Sequence, residues 1–140
     1  MKIYFYIFSA LVIAFVSMST ANSGESPSTE GARAYIISPQ DGETVSNPFI
    51  VQFGLSGMGV APAGIDKKNT GHHHLLVDSE SLPTKGKPMG KDVKHFGGGQ
   101  TETSLTLKPG KHTLQLVLGD KNHVPHNPPV VSEKITIVVK

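Results

Sequence analysis

Residues 112–118 alternate apolar and mostly polar side chains with a period of two, and this pattern limits the possible folds more than any other feature. Such alternation is typical of a β-strand that buries one face. It recurs at residues 49–55 and 135–139, whereas no stretch after residue 21 shows sustained helical periodicity. We therefore predict that residues 34–140 form an all-β domain, an immunoglobulin-like antiparallel β-sandwich of about seven strands.

The predicted strands are lettered in sandwich order and are separated by turns rich in Gly, Pro and Asn. They are 34–45 (A), 49–55 (B), 73–77 (C), a short strand near 93–96 (D), 101–107 (E), 112–118 (F) and 132–139 (G). Residues 56–70 are expected to form a loop. Because consecutive strands of this topology alternate in direction, the B–C, D–E and F–G connections emerge at one pole of the domain.

The chain begins with the features of a secretory signal peptide. Lys2 precedes an apolar run at residues 3–16, and small residues follow at Ser19 and Ala21. The run is shorter than the ~20 residues that span a bilayer, so cleavage after Ala21 is favoured over a membrane anchor. Residues 22–33 are polar and predict a flexible leader. We expect an exported protein, periplasmic or secreted, with no membrane anchor after signal cleavage.

Composition excludes several classes of function. The chain has no cysteine, which rules out disulfides, thiolate metal sites and cysteine nucleophiles. The net charge is only +2, and no basic run is interleaved with aromatic residues. Binding to nucleic acid is therefore disfavoured. Any chemistry must come from imidazole, carboxylate, hydroxyl or thioether groups.

Six of the seven histidines map to the predicted pole where three loops meet. His72, His73 and His74 stand where the B–C loop enters strand C, and His95 precedes strand E. The F–G loop carries the other two, His123 and His126. Imidazole nitrogens from several loops are what a copper or zinc ion requires, so the convergence predicts a metal site.

The spacing within the histidine run leaves two possibilities for the metal site. On a strand, His72 and His74 point to the same face about 6.6 Å apart, a gap that two imidazoles can close on one ion. Further ligands would come from His95 and from either His123 or His126. Alternatively His73 alone faces the site, because a single bulge inverts the choice of face.

The two loop methionines bear on the identity of the metal. Met58 and Met89 both lie in predicted loops. A thioether near the imidazoles would favour copper, although either side chain is equally suited to filling gaps in the core.

Other functions compete with metal binding. The histidines and nearby polar residues suit a hydrogen-bonded plug that orders long loops. They also suit a non-enzymatic module that binds a small ligand, a cell-envelope component or a partner protein. Catalysis is less favoured, because the sequence has no nucleophile elbow and we assign no catalytic residue. We assign a structural role to His112, which begins strand F at the opposite pole.

Four stretches of the chain form long, specific motifs. They are residues 53–64 (FGLSGMGVAPAG), 69–76 (NTGHHHLL), 95–102 (HFGGGQTE) and 118–126 (LGDKNHVPH). These closely resemble the motifs of a bacterial exported family, domain of unknown function 4399 (DUF4399). The resemblance implies a small secreted or periplasmic domain of Gram-negative bacteria. It implies no particular activity.

Overall fold

A computed structural model describes residues 24–140. The predicted signal peptide and the first two residues of the predicted leader lie outside the described residues. The described part of the chain is all-β, as predicted, and none of it forms a helix that could cross a membrane. Its strands are β1 Arg33–Ser38, β2 Thr44–Val45, β3 Phe49–Ser56, β4 Gly59–Val60, β5 Thr70–Val77, β6 Lys94–His95, β7 Glu102–Leu105, β8 Gly110–Gly119 and β9 Ile135–Val139.

The strands form two sheets in a sandwich-like arrangement. The smaller sheet has the order β1-β3-β7 and is antiparallel. The larger sheet has the order β2-β9-β8-β5-β4, and β6 also pairs with β5. Two of its pairings, β2 with β9 and β4 with β5, are parallel, so the larger sheet is mixed. The specific immunoglobulin-like class stays a prediction.

The hydrophobic core lies between the two sheets and follows the period-two pattern. Val51 and Phe53 project from β3, and the alternating leucines of β8 project from the other sheet. Leu114, Leu116 and Leu118 are completely buried. Burying each of these side chains contributes about 1.5–3 kcal/mol, which makes β8 the main apolar support of the larger sheet.

Strand β5 is buried on both faces. Leu75 lies in the main core, whereas Leu76 belongs to a second apolar cluster with Val93 and Val117. Val93 comes from the long connection between β5 and β7, which therefore covers the outer face of the larger sheet beside β5. As a result, polar side chains on that outer face are also removed from water.

The structure changes some predicted boundaries. Strand β5 begins at Thr70, three residues before the predicted start at 73, and the predicted loop 56–70 contains the short strand β4. Gly59 and Val60 pair with Thr70 and Gly71. Glycine-rich sequence gives no alternating pattern, so this pairing depends on the backbone contacts of neighbouring strands rather than on a local signal.

Candidate metal centre

The three consecutive histidines of β5 separate onto opposite faces of the sheet, as strand geometry requires. His73 faces the sandwich core, where its ring lies 5.3 Å from the Phe53 ring. His72 and His74 face outward, with their ring centroids 4.6 Å apart. The sequence left open whether His73 or this pair faces the other histidines, and the structure places His72 and His74 there.

Neighbouring strands bring the next histidine and provide room for it. On β6, His95 is the direct cross-strand partner of His74, so both side chains lie on the same face. On β8, Gly119 is the partner of His72. A Cβ at Gly119 would lie only 2.5 Å from Cε1 of His74. The outward imidazoles therefore occupy space that only glycine leaves free.

The loop after β8 presents His123 by means of a buried carboxylate. Asp120 is 3% exposed, and its Oδ1 accepts hydrogen bonds from the backbone N–H groups of Asn122 (2.8 Å) and Val124 (3.0 Å). His123 adopts a left-handed backbone conformation, with φ of 65°. That conformation is unfavourable for a residue with a Cβ, and the turn around Asp120 stabilises it.

The segment before β1 contacts the same loop. Ser26 Oγ donates a 2.8 Å hydrogen bond to Asp120 Oδ2, and Asn127 N–H donates one of 3.0 Å to the Ser26 carbonyl. Pro27 forms an isolated bridge with Asn127. Ser26 and Pro27 belong to the predicted flexible leader, whose boundaries stay a prediction. Their contacts help to fix the loop that carries His123.

Four imidazoles meet at this place, and we call them the histidine cluster: His72, His74, His95 and His123. All six pairs of ring centroids are 4.5–5.8 Å apart. Each ring offers one nitrogen, and these four nitrogens all lie within 4.8 Å of one another. The cluster therefore has the donors and the spacing to hold a metal ion.

The shortest nitrogen separations match the edge of a coordination tetrahedron. His72 Nε2 lies 3.1 Å from His123 Nδ1 and 3.2 Å from His95 Nε2. Bonds of ~2.0–2.1 Å to a tetrahedral ion place neighbouring nitrogens about 3.3–3.4 Å apart. The other separations among the four nitrogens do not exceed 4.8 Å.

The environment keeps three imidazoles of the histidine cluster in the neutral form, which is the form that binds metals. Burial, followed by the charges of His123 and His95, lowers the pKa of His72 to about 4. Burial, followed by the charges of His72, His95 and His123, lowers the pKa of His74 to about 3. Burial and then the charge of His123 also lower the pKa of His95. At neutral pH these three rings are uncharged, and each has one nitrogen lone pair that can bind a metal.

The imidazoles are only partly hydrogen-bonded to one another, through His72 Nε2 with His123 and His95, and this bears on the hydrogen-bonded plug considered from the sequence. Such a plug would give each buried ring nitrogen a partner. Both ring nitrogens of His74 and the Nδ1 of His72 are buried without a hydrogen-bond partner. Each unsatisfied polar atom of this kind costs about 1–3 kcal/mol. An ion in the cluster would remove this cost for one nitrogen of His74 but not for Nδ1 of His72, because His72 faces His123 and His95 with Nε2.

The other three histidines lie outside the histidine cluster. His73 is in the core, and burial lowers its pKa to about 4. His126 is also buried, and its ring nitrogens lie 3.2 Å from the Thr70 carbonyl and 3.4 Å from the Leu118 carbonyl. His112 bonds Asp78 and the Lys108 carbonyl, each at 2.7 Å, which fits its assigned structural role. The structure thus brings together four of the six histidines proposed from the sequence.

The two methionines have different surroundings. Met58 packs against the main core. Met89 lines a cavity of about 280 Å³ together with His74, His95 and His123. Sequence reasoning named Met89 only as a possible neighbour of the imidazoles. Sequence reasoning missed Gly119 and Ser26. The one indirect signal for them was the turn pattern Asp-Lys-Asn at residues 120–122, which indicates that Asp120 organises this loop.

Comparisons with known proteins identify the family of the chain. Searches of curated proteins and of solved structures found no significant match. Residues 51–140 match the family model described as "Domain of unknown function (DUF4399)", and this range includes the whole histidine cluster. The resemblance noted in the sequence is confirmed, and the chain belongs to the DUF4399 family.

Proposed function

We propose that this protein is an exported metal-binding protein whose histidine cluster holds a copper or zinc ion. The observation that carries the proposal is the convergence of four imidazole nitrogens within 4.8 Å of one another. Two of the rings are buried and have nitrogens without hydrogen-bond partners. Hydrogen bonds join His72 Nε2 to His123 and His95, whereas both ring nitrogens of His74 have no partner among the described residues.

The chemistry of the donors favours copper or zinc over magnesium and calcium. Imidazole is a ligand of intermediate softness that suits zinc and copper, whereas magnesium and calcium prefer oxygen ligands. The nearby carboxylate of Asp120 is already engaged, because it accepts hydrogen bonds from Ser26, Asn122 and Val124. The four donors of the histidine cluster are therefore all nitrogens.

Export is consistent with a site built from histidines. The N-terminal sequence has the charge, apolar run and small residues of a signal peptide. Thiolate ligands oxidise readily in the periplasm or outside the cell, whereas imidazoles do not. A chain without cysteine can hold copper or zinc there without losing its ligands to oxidation. We propose a periplasmic or secreted location on this basis.

Metal retention by tag-free protein tests the proposal. We expect equilibrium dialysis to show one Cu²⁺ or Zn²⁺ ion retained per chain at micromolar concentration. His95 is exposed and His123 is partly exposed, so their replacement should leave the core intact. We expect His95→Ala and His123→Ala each to weaken binding at least about tenfold.

His112→Ala is the matched control, because His112 lies outside the histidine cluster and bonds Asp78 and Lys108 instead. This variant should retain metal as the unmodified protein does. The proposal is wrong if the unmodified protein retains none of Cu²⁺, Cu⁺ and Zn²⁺ at micromolar concentration. It is also wrong if the folded His95→Ala and His123→Ala variants bind as tightly as the control.

A further inference from the structure

Met89 is the one sulfur-containing side chain that lines the histidine cavity among the described residues. Its Cε methyl lies 2.8 Å from the position that a Cβ at Gly119 would occupy, and Cε1 of His74 lies 2.5 Å from the same position. The thioether sulfur is one bond from that methyl. The sulfur therefore belongs to a side chain whose end lies beside His74 at the wall of the cavity.

The backbone holds Met89 beside the cluster. Its N–H donates a 2.9 Å hydrogen bond to the carbonyl of His123. On its other side, Met89 packs against the apolar cluster of Leu76, Val93 and Val117. The residue is thus anchored both to a loop that supplies an imidazole and to the sheet that supplies two more.

The charge of the centre also bears on the kind of ion. A metal-bound imidazole is a neutral ligand, so these ligands do not cancel the charge of an ion. The nearby buried carboxylate of Asp120 can balance one positive charge, and any further charge beside the buried sheet face is costly. A monovalent ion is less unfavourable here than a divalent one. Among first-row metals, a soft thioether ligand also favours Cu⁺.

From this geometry we infer that the centre is a copper(I) site in which the Met89 thioether binds the ion together with imidazoles of the histidine cluster. The inference rests on the proposed function, because it needs the cluster to bind a metal. It adds a sulfur ligand and a preferred oxidation state. No electron transfer is involved, since copper is supplied and bound as Cu⁺.

Competition with a chromogenic Cu⁺ chelator under anaerobic reducing conditions tests the inference. We expect Met89→Leu to weaken Cu⁺ binding at least about tenfold and to change Zn²⁺ binding less than about twofold, because leucine keeps the apolar packing but has no donor. X-ray absorption of the copper(I) protein should show a sulfur neighbour that Met89→Leu lacks.

Met58→Leu is the matched control, because Met58 packs in the main core and is absent from the cavity lining. It should leave the affinity and the absorption spectrum unchanged. If the unmodified protein binds neither Cu⁺ nor Zn²⁺, the proposed function itself fails. If it binds metal but Met89→Leu keeps full Cu⁺ affinity and the unmodified spectrum shows no sulfur, only the copper(I) inference is overturned.

Discussion

Acidification should destabilise the metal-free protein, because three adjacent buried histidines must stay neutral in the fold. His72, His73 and His74 are at most 1% exposed. Burial is the first cause that lowers each pKa, to about 4 for His72 and His73 and about 3 for His74. In the unfolded chain the same groups titrate near ~6.5. The unfolded state therefore binds more protons below that pH, and the free energy of unfolding falls.

The size of the effect follows from the unfolded state. At pH 5.5, an imidazole of pKa ~6.5 is about 90% protonated, whereas the folded groups are still almost wholly neutral. Each group then reduces the free energy of unfolding by about 1.4 kcal/mol relative to neutral pH, and the three together by about 4 kcal/mol. This result depends only on the folded pKa values lying well below 5.5. It is a large part of the ~5–15 kcal/mol that stabilises a typical domain.

One histidine acts in the opposite direction. The hydrogen bond to Asp78, followed by that to the Lys108 carbonyl, raises the pKa of His112. Its contribution to stability is therefore full below pH ~6.5 and is lost as the pH rises through the folded value. The Asp78 side chain is 50% exposed, so solvent limits this contribution to below about 1 kcal/mol. The three buried histidines dominate the net effect.

Urea unfolding followed by far-UV circular dichroism at pH 7.5 and 5.5, with metals removed by a chelator, measures the change. With an m-value of about 1–2 kcal/mol/M, the midpoint should fall by about 2–4 M. His73→Leu removes one of the three groups and two unpartnered ring nitrogens. It should reduce the pH effect by about 1.4 kcal/mol and stabilise the protein at pH 7.5. Equal midpoints at the two pH values, or an unchanged pH effect in His73→Leu, would refute the reasoning.

Two further substitutions test the supports of the site and of the fold. Gly119→Ala should weaken zinc retention in dialysis at least about tenfold, because the new methyl would lie 2.5 Å from Cε1 of His74. Gly24→Ala should bind normally, because no described residue other than its chain neighbours lies within 4 Å of the new methyl. Normal binding by Gly119→Ala would contradict this. His112→Asn should lower the free energy of unfolding by about 0.5–1 kcal/mol at pH 6 and by less at pH 9. The reason is that the pKa of His112 is raised, so its bond with Asp78 carries a charge on both partners only at the lower pH. An equal loss at both values in urea unfolding would show that the charge is unimportant.

Much of the fold could be predicted from the sequence, because burial of one strand face produces an alternating pattern. The leucines of β8 showed this pattern, and they form the core of the larger sheet. The same period placed His72 and His74 on one face and His73 on the other. The sequence could not decide which face meets the loops, since the apolar residues of β5 occur on both faces. The long connection that buries the outer face has no periodic signal.

The choice between His123 and His126 depended on contacts between distant parts of the chain. Both residues lie in a loop rich in proline and asparagine, and either spacing would reach the cluster. The Asp120 carboxylate accepts a backbone hydrogen bond from Asn122, and the resulting turn presents His123 to the cluster. Ser26, which is 94 residues away in the sequence, bonds the same carboxylate. Such contacts leave no local pattern, because their partners meet only in the folded protein.

The three buried histidines of β5 differ in whether they face the proposed metal centre. His72, His73 and His74 all pay the same kind of desolvation cost, but only His72 and His74 face the other rings of the histidine cluster. An ion bound to the folded state stabilises it in proportion to the logarithm of its concentration, so metal should raise the free energy of unfolding at pH 7.5 and at pH 5.5. It should not reduce the pH effect, because His72, His73 and His74 are neutral in the fold at both pH values whether or not an ion is bound. A metal-loaded protein that lost the pH effect would therefore contradict the lowered pKa values of the folded metal-free state.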